Sequence, residues 1–486
     1  MSTQPASLAR VIGPIMGTAI VVGTIIGSGV FKKPAAIAEA LPYSGIVALV
    51  WIIGGLLVLF GALAYAEVAV LFPQTGGNYV FLREAYGRLA GFLWGWVEFW
   101  IIRSASLAAL ASIFAESLGD IVANPAFQQA VGLPADVRLG YWGQRLLTVA
   151  TLLGLGAVNI RGVRWGGGLQ VGITAIKVGS IAGIIVLPFF FLVSATPPPG
   201  GVPPSWDNLA PVWPASITAL SLTGLGSAFL GVLWPYHGWM NLAPVAGEVR
   251  NPQRNLPLAL LLGVGIVVLL YLGSNLAYYL MVPGADMAAL RSKDTAVATA
   301  YALRLLGPLG AAAASAAIMC SVFGSLNGNL LVGPRLLFAM SNDGLAPRLL
   351  SRIHPRWHTP AAAIAVLAIW ASLQVLAVAA LTEFDLLDRR KSHFDMLTDF
   401  AMFGAIIFET MAVLSIYRFR YLLPDAPRPY RCPGYPVVPA LHALVPAFVL
   451  VNMFLAQLAE AATGLGFILV GVLVYFVLGL QRSRPA

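Results

Sequence analysis

Twelve continuous apolar runs, each long enough to cross a lipid bilayer, constrain this chain more than any other feature. They lie at 11–38, 45–71, 87–119, 143–160, 168–194, 216–247, 256–282, 308–340, 360–381, 396–417, 436–456 and 463–481. A crossing helix needs about 20 apolar residues, because the hydrocarbon core is about 30 Å thick and each residue rises about 1.5 Å. Inside lipid no water satisfies the backbone, so only helices or a closed barrel can span it. These runs are unbroken rather than alternating, which excludes the barrel. The sparse charge agrees: 10% of the residues are charged and 59% are hydrophobic, against roughly 25% charged in soluble domains. An all-α integral membrane protein with twelve transmembrane helices is expected. The loops are short, so residues 1–481 read as one polytopic domain and 482–486 as a tail.

The net charge of +9 reads as cationic loops on the cytoplasmic side, not as nucleic-acid binding. With the N-terminus inside, 16 basic residues fall in inner segments and 7 in outer ones. Both termini are therefore expected in the cytoplasm. The cluster "DRRKSHFD" at 388–395 falls outside on this count, against the rule. Cys320 lies in an apolar run and Cys432 in a polar loop, so no disulfide between them is expected. The first run ends at no small-residue cleavage site and reads as a retained helix rather than a signal peptide.

Two runs carry breaks near their middles. The first contains Gly27-Ser28-Gly29, and each glycine weakens a helix by roughly 1 kcal/mol. The sixth contains Pro235 and Gly238; proline removes an amide donor and clashes with the preceding turn. Breaks in lipid survive only beside a cavity or within protein. Runs one and six open two successive sets of five, and matched interruptions point to a transport site. The amides of a half-helix N-terminus suit a carboxylate, and the carbonyls ending the other half suit an ammonium. A site with both ends suits an amino acid. The alternative is two packing kinks.

The motifs around these breaks resemble the amino acid–polyamine–organocation superfamily, and within it the L-type amino-acid transporter branch. The resemblance rests on "GTIIGSGVF" at 23–31, "YAEVAVLFPQTGGNYVFLREAYG" at 65–87, "VEFWIIRSAS" at 97–106, "GEVRNPQRNLPLA" at 247–259, "FGSLNG" at 323–328, "GLAPRLLSRIHPRWHTP" at 344–360 and "PDAPRPYRCPGYP" at 424–436. It implies the leucine-transporter fold. Two inverted repeats of five helices, 11–194 and 216–417, would be followed by two extra helices at 436–481. It implies that amides of Gly27, Ser28 and Gly29 hold a substrate carboxylate. Carbonyls of Ile25, Trp234 and His237 would hold the ammonium, and Trp234 would be an aromatic gate. It also implies sodium-independent secondary transport in the cell membrane, by exchange of neutral L-amino acids. Proton-coupled symport and polyamine or amine transport stay open as alternatives.

The chain departs from the family pattern in three places. His237 stands where Gly, Ala or an acidic residue is common, which bears on selectivity. Gly247-Glu248 stands where the branch usually has two acids, which bears on an inner gate. The outer segment 120–142 has no cysteine, so no disulfide-linked ancillary subunit is expected.

Several polar residues need a role. Lys177 lies nine residues into the fifth run, about 14 Å deep, where a lysine costs roughly 2.5–3.5 kcal/mol or more. The resemblance puts it between helices 1 and 8, where its ammonium would replace the sodium of coupled relatives; the bland reading is a paired structural lysine. His237 reads as pH-sensitive, as substrate-facing, or as packed at the kink. Ser321 and Ser325, one turn apart, either face the cavity or bond their own i−4 carbonyls. Glu67, Glu98, Arg103, Asp399 and Glu409 read as mostly paired charges. Gly91 and Gly95 read as internal packing. His354 and His358 are flanked by Pro355 and Pro360 without a nearby acid, so no metal is expected. Catalytic residues and cofactors are not expected either, since zinc motifs and nucleotide loops are missing from the sequence. Filling Gly29 with a β-branched side chain is expected to block the site and spare the fold.

Overall fold

The computed structural model of the chain describes residues 8–194, 198–216, 218, 220–293, 295–383 and 393–482. Residues 388–392 of the basic cluster, the side chains of 393–395 and of Asp399, and most of the 482–486 tail lie outside the described residues.

The described residues form helices joined by loops, and among them the only β feature is one isolated bridge, Ile12 to Val249. Broken into two at its centre, the first run forms α1 (Pro14–Ile25) and α2 (Gly29–Ala40). Then follow α3 (Ser44–Leu71), the short α4 (Asn78–Tyr86) and α5 (Arg88–Val97). A π-helical segment, Glu98–Arg103, carries α5 into α6 (Ser104–Ala123). The first half closes with α7 (Pro125–Val131), α8 (Tyr141–Ile160) and α9 (Val163–Ser194). The sixth run forms α10 (Leu222–Tyr236) and then 3-10 turns over Trp239–Glu248. After it come α11 (Pro252–Met281), α12 (Gly284–Ala289), α13 (Val297–Val332), α14 (Pro334–Asn342) and α15 (Ala361–Glu383). The last three are α16 (His393–Leu422), α17 (Val437–Ala456) and α18 (Leu458–Val477).

Nine helical stretches of the described residues are long and apolar enough to cross a membrane. The other three expected runs are helical too but fall short of that measure: α8, the broken α10 segment, and the apolar part of α18 at Ala461–Val477. The chain is thus an integral, multi-pass membrane protein. The eighth run begins later than its helix. A kink at Gly307 (φ 73°), just before Pro308, splits α13 into a short leading piece and the long apolar part.

Burial separates the broken helix from the lipid-facing ones. In Pro14–Ala40, 78% of the most apolar window is buried in protein, against 17% in Trp165–Ser194. An interrupted backbone has to be central, because its freed amides and carbonyls would find no partner in hydrocarbon. Helix α1 is enclosed by α9, α11 and α13. Packing there is close because lipid supplies no hydrophobic drive and van der Waals fit must hold helices together. Gly95 illustrates it: a Cβ there would meet Met340 Sδ of α14, so the Gly91–Gly95 pattern serves internal packing.

Two buried glutamates are paired with arginines. Glu67 on α3 receives Arg420 Nε at 3.0 Å and Nη2 at 2.7 Å, and Arg428 Nε stands 3.3 Å away. Glu248 and Arg335, both fully buried, join Nε to Oε1 at 2.9 Å. This tie holds the end of the 3-10 segment to α14. A side chain at position 247 would displace the Thr75 hydroxyl, since a Cβ on Gly247 would lie 2.4 Å from Thr75 Oγ1. On the same face the Ile12 amide donates to Glu248 O at 3.0 Å. There too Asp343 takes the guanidinium of Arg83 and the Tyr79 hydroxyl.

Glu67 also accepts the backbone amide of Cys432 at 2.6 Å, which docks the 423–436 loop. Both cysteines are free thiols. Burial, reinforced by the Glu67 carboxylate, pushes the Cys432 thiol up to about 11. At pH 8 its reactive thiolate is therefore roughly a hundredfold scarcer than in an ordinary cysteine. Maleimide labelling at pH 8, followed by peptide mass spectrometry, is expected to be slow at Cys432. Glu67→Gln is expected to accelerate it. Rapid labelling of the wild type would show that the loop does not dock on Glu67.

Candidate functional site

The two breaks lie side by side. Helix α1 ends at Ile25, and Ile26 is extended (φ −72°, ψ 91°). The helix resumes at Gly29, so the open residues are Ile26, Gly27 and Ser28, shifted one position from the expected Gly-Ser-Gly. Helix α10 runs through Pro235 and ends at Tyr236. His237 is extended (ψ 147°), and Gly238 takes φ 100°, a left-handed turn that only glycine adopts without strain.

Tyr271 on α11 staples the two breaks together. Its hydroxyl lies 3.2 Å from Ile25 O and 3.1 Å from Pro235 O. Thr24 Oγ1 adds a contact to Gly238 O at 3.2 Å. Tyr271 is fully buried and edge-packed on Trp51. Sequence reasoning missed it, because one tyrosine in an apolar run carries no local sign of its partners.

Between the breaks lies a cavity of about 40 Å³. Of the expected site residues, Ile25, Gly27, Ser28, Gly29, Trp234, His237 and Ser325 line it. Thr24, Ser106, Leu110, Asn241 and Asn329 join them, none anticipated as a lining residue. A single water needs roughly 10–15 Å³, so the cavity has room for more than one.

Ser321 and Lys177 stand outside that lining and act on the break from behind. The ammonium of Lys177 lies 2.7 Å from Gly23 O, 2.6 Å from Ile26 O and 2.9 Å from Ser325 Oγ. Those three contacts match the three protons of an ammonium. They sit at the C-terminal end of α1, where carbonyls lose their helical partners and the helix dipole is negative. Ser325 Oγ lies 2.8 Å from Ile26 O, and Ser321 Oγ lies 3.2 Å from the carbonyls of both Ile26 and Gly27. Neither expected alternative describes this pair fully. Both serines cap the broken α1, and Ser325 also reaches the cavity.

A polar floor lies beyond the cavity. His237 Nε2 is 3.0 Å from Glu409 Oε1, and the imidazole lies parallel to the Trp234 ring, 5° between planes at 6.0 Å. In the π-helical segment residues five apart share a face, so Arg103 Nε reaches Glu98 Oε1 at 2.8 Å. The same guanidinium spans to Asn241 Oδ1 at 2.9 Å and to Asn329 Oδ1. Glu98, Arg103, Asn241 and Glu409 wall a second cavity of about 20 Å³. The imidazole at 237 thus faces the first cavity with its charge partner behind it. Among the described residues no group of His, Cys, Asp and Glu side chains could hold a metal ion.

Comparison with known proteins gives consistent matches along the whole chain. A family described as amino acid permease matches residues 12–478. The chain is 31% identical to the serine/threonine exchanger SteT of Bacillus subtilis (strain 168), over 100% of both chains. It is 30% identical to the cystine/glutamate transporter of Homo sapiens, over 99% of this chain and 88% of that one. With the b(0,+)-type amino acid transporter 1 of Mus musculus it shares 29%, over 98% of this chain and 89% of the relative.

Proposed function

The chain belongs to the amino acid permease family, a family of transporters rather than enzymes, and from that premise we propose that it carries amino acids across a membrane by alternating access. The observation that carries the reading is the pairing of two broken helices around one small cavity. Amides at Gly27, Ser28 and Gly29 would meet the substrate carboxylate at the positive end of α2. Carbonyls ending α1 and α10 would meet the ammonium. Ile25 O already accepts Tyr271, but a carbonyl has a second lone pair.

We further propose a sodium-independent exchanger of neutral L-amino acids. The Lys177 ammonium occupies the carbonyl cluster behind α1 that a monovalent cation would need. A second unit charge 4 Å away would cost about 4 kcal/mol at an effective dielectric of 20. The arrangement reads as twelve spanning helices, with 11–194 and 216–417 as inverted repeats, 436–481 as two additional helices, and both termini cytoplasmic in the cell membrane. The cysteine-free segment 120–142 supports a carrier without a disulfide-linked companion.

Proteoliposomes, preloaded or empty, test this with a panel of radiolabelled amino acids in sodium, potassium and choline buffers. Uptake is expected to need internal amino acid and to be equal in all three salts. A sodium requirement would overturn the ion reading. Uptake into empty vesicles driven by an inward pH gradient would favour the proton-coupled alternative, which the His237–Glu409 pair beside the cavity supports. A polyamine carrier would need an exposed carboxylate in the cavity, and Glu409 is turned to His237 instead.

Trp234 lines the cavity and stacks on His237, a position from which its indole can close over substrate. Trp234→Ala is expected to cut exchange at least tenfold with little change in melting temperature, since gates complete a site rather than hold a fold. Unchanged exchange would make Trp234 a packing residue.

A further inference from the structure

Two buried hydroxyls in the cavity wall lack partners. Ser28 is 1% exposed and Ser106 is 7% exposed, and neither Oγ has a hydrogen-bond partner. Both line the same cavity. Buried hydroxyls normally find a partner, and a helical serine has an easy one in the carbonyl four residues back. Ser104, two positions earlier and on a different face of the same helix, does this with Trp100 O at 3.0 Å. Ser106 does not bond the carbonyl four residues back, at Ile102 in the π-helical segment. An unmade bond at a buried hydroxyl costs enough to need an explanation, and a ligand that supplies the bond is one.

We propose that Ser106 is the receptor for a substrate side-chain hydroxyl, so that the transporter selects small hydroxyl-bearing amino acids, serine and threonine, over apolar ones. The proposal rests on the amino-acid transport reading above. Ser28 stands at the open end of α2, beside the amides proposed for the carboxylate, and its hydroxyl joins them. Ser106 lines the cavity from a different helix, α6, and is left for the side chain. An apolar side chain in the cavity would leave the Ser106 hydroxyl without a bond. Charged side chains meet no open counter-charge in it, because Arg103 is held by Glu98, Asn241 and Asn329, and Glu409 by His237. A site built to bond a hydroxyl rejects the analogue that lacks it, because its own polar group is then stranded.

The test is competition against serine exchange in proteoliposomes, with L-serine, L-threonine, L-alanine, L-leucine and L-phenylalanine as competitors. Serine and threonine are expected to compete roughly tenfold better than alanine, and leucine and phenylalanine to fail. In Ser106→Ala the serine-over-alanine ratio is expected to fall to near one. The ratio is independent of how much protein is inserted, and melting temperature checks the fold. Wild-type preference for leucine or phenylalanine would overturn the proposal. So would an unchanged ratio in Ser106→Ala, which would mean that water satisfies this hydroxyl. Those results leave amino-acid transport standing, whereas no uptake of any amino acid would overturn the transport reading and this proposal with it.

Discussion

Lys177→Ala is expected to lower exchange at least a hundredfold. The ammonium ties three acceptors, Gly23 O, Ile26 O and Ser325 Oγ, within 2.9 Å. Removing it takes a charged donor from these acceptors, at roughly 1.5–3 kcal/mol per bond, and leaves a void where the long side chain lay. Ser321 and Ser325 can still donate to Ile26 O, so the break is loosened rather than dissolved. The amides proposed for substrate remain. Exchange rate normalised to inserted protein should therefore collapse while the melting temperature falls by only a few degrees. Lys177→Arg is not expected to rescue it. The guanidinium is a planar fork rather than a compact point charge, and a Cβ on Gly324 would already lie 2.7 Å from Lys177 Cε. Normal turnover in Lys177→Ala would defeat the assignment of this lysine to the conformational cycle.

The second large effect separates two glycines of the first break. A Cβ on Gly29 would lie 2.8 Å from Pro235 Cα, a backbone atom that cannot swing aside. Gly29→Val is therefore expected to force α2 from α10, with poor expression, a melting temperature lowered by many degrees and no exchange. This corrects the expectation that the fold would survive. That expectation took position 29 as open chain lining the substrate, whereas Gly29 is the first residue of α2 and also the contact point of two broken helices. A Cβ on Gly27 would meet Leu110 at 3.4 Å and Ser325 Oγ at 3.5 Å, ordinary contacts. Gly27→Ala is expected to fold with nearly wild-type melting and to lose roughly tenfold or more in exchange, because its methyl enters the cavity. A Gly29→Val protein with wild-type melting would show that the helices do not meet there.

How much of this was legible beforehand differs between the fold and the site. The apolar runs, the two breaks and the pairing of most buried charges follow from local physics. Twenty apolar residues cross a bilayer, and glycine or proline interrupts a helix wherever it stands. Lys177 could be singled out because charge at that depth must find partners. His237 could be named without its role, since imidazole at a kink has several uses. Its partner Glu409 appears only once α10 and α16 are packed.

By itself, then, the sequence determined that the chain is a multi-pass helical membrane protein, where its first and sixth runs must break, and which lysine needs carbonyl partners. Tertiary structure alone decided the remainder. It set Lys177 on carbonyls 154 and 151 residues away and Tyr271 on one 246 residues away. It turned Ser321 and Ser325 to α1 instead of their own helix, and left Ser106 facing the cavity without a bond. It also brought Arg103 onto Glu98 through a π-helical turn that no residue pattern announces. The physical reason is range. Helix formation and breaking are set by residues within a few positions of one another, while hydrogen bonds between helices depend on rotations and separations fixed only when all their neighbours are packed.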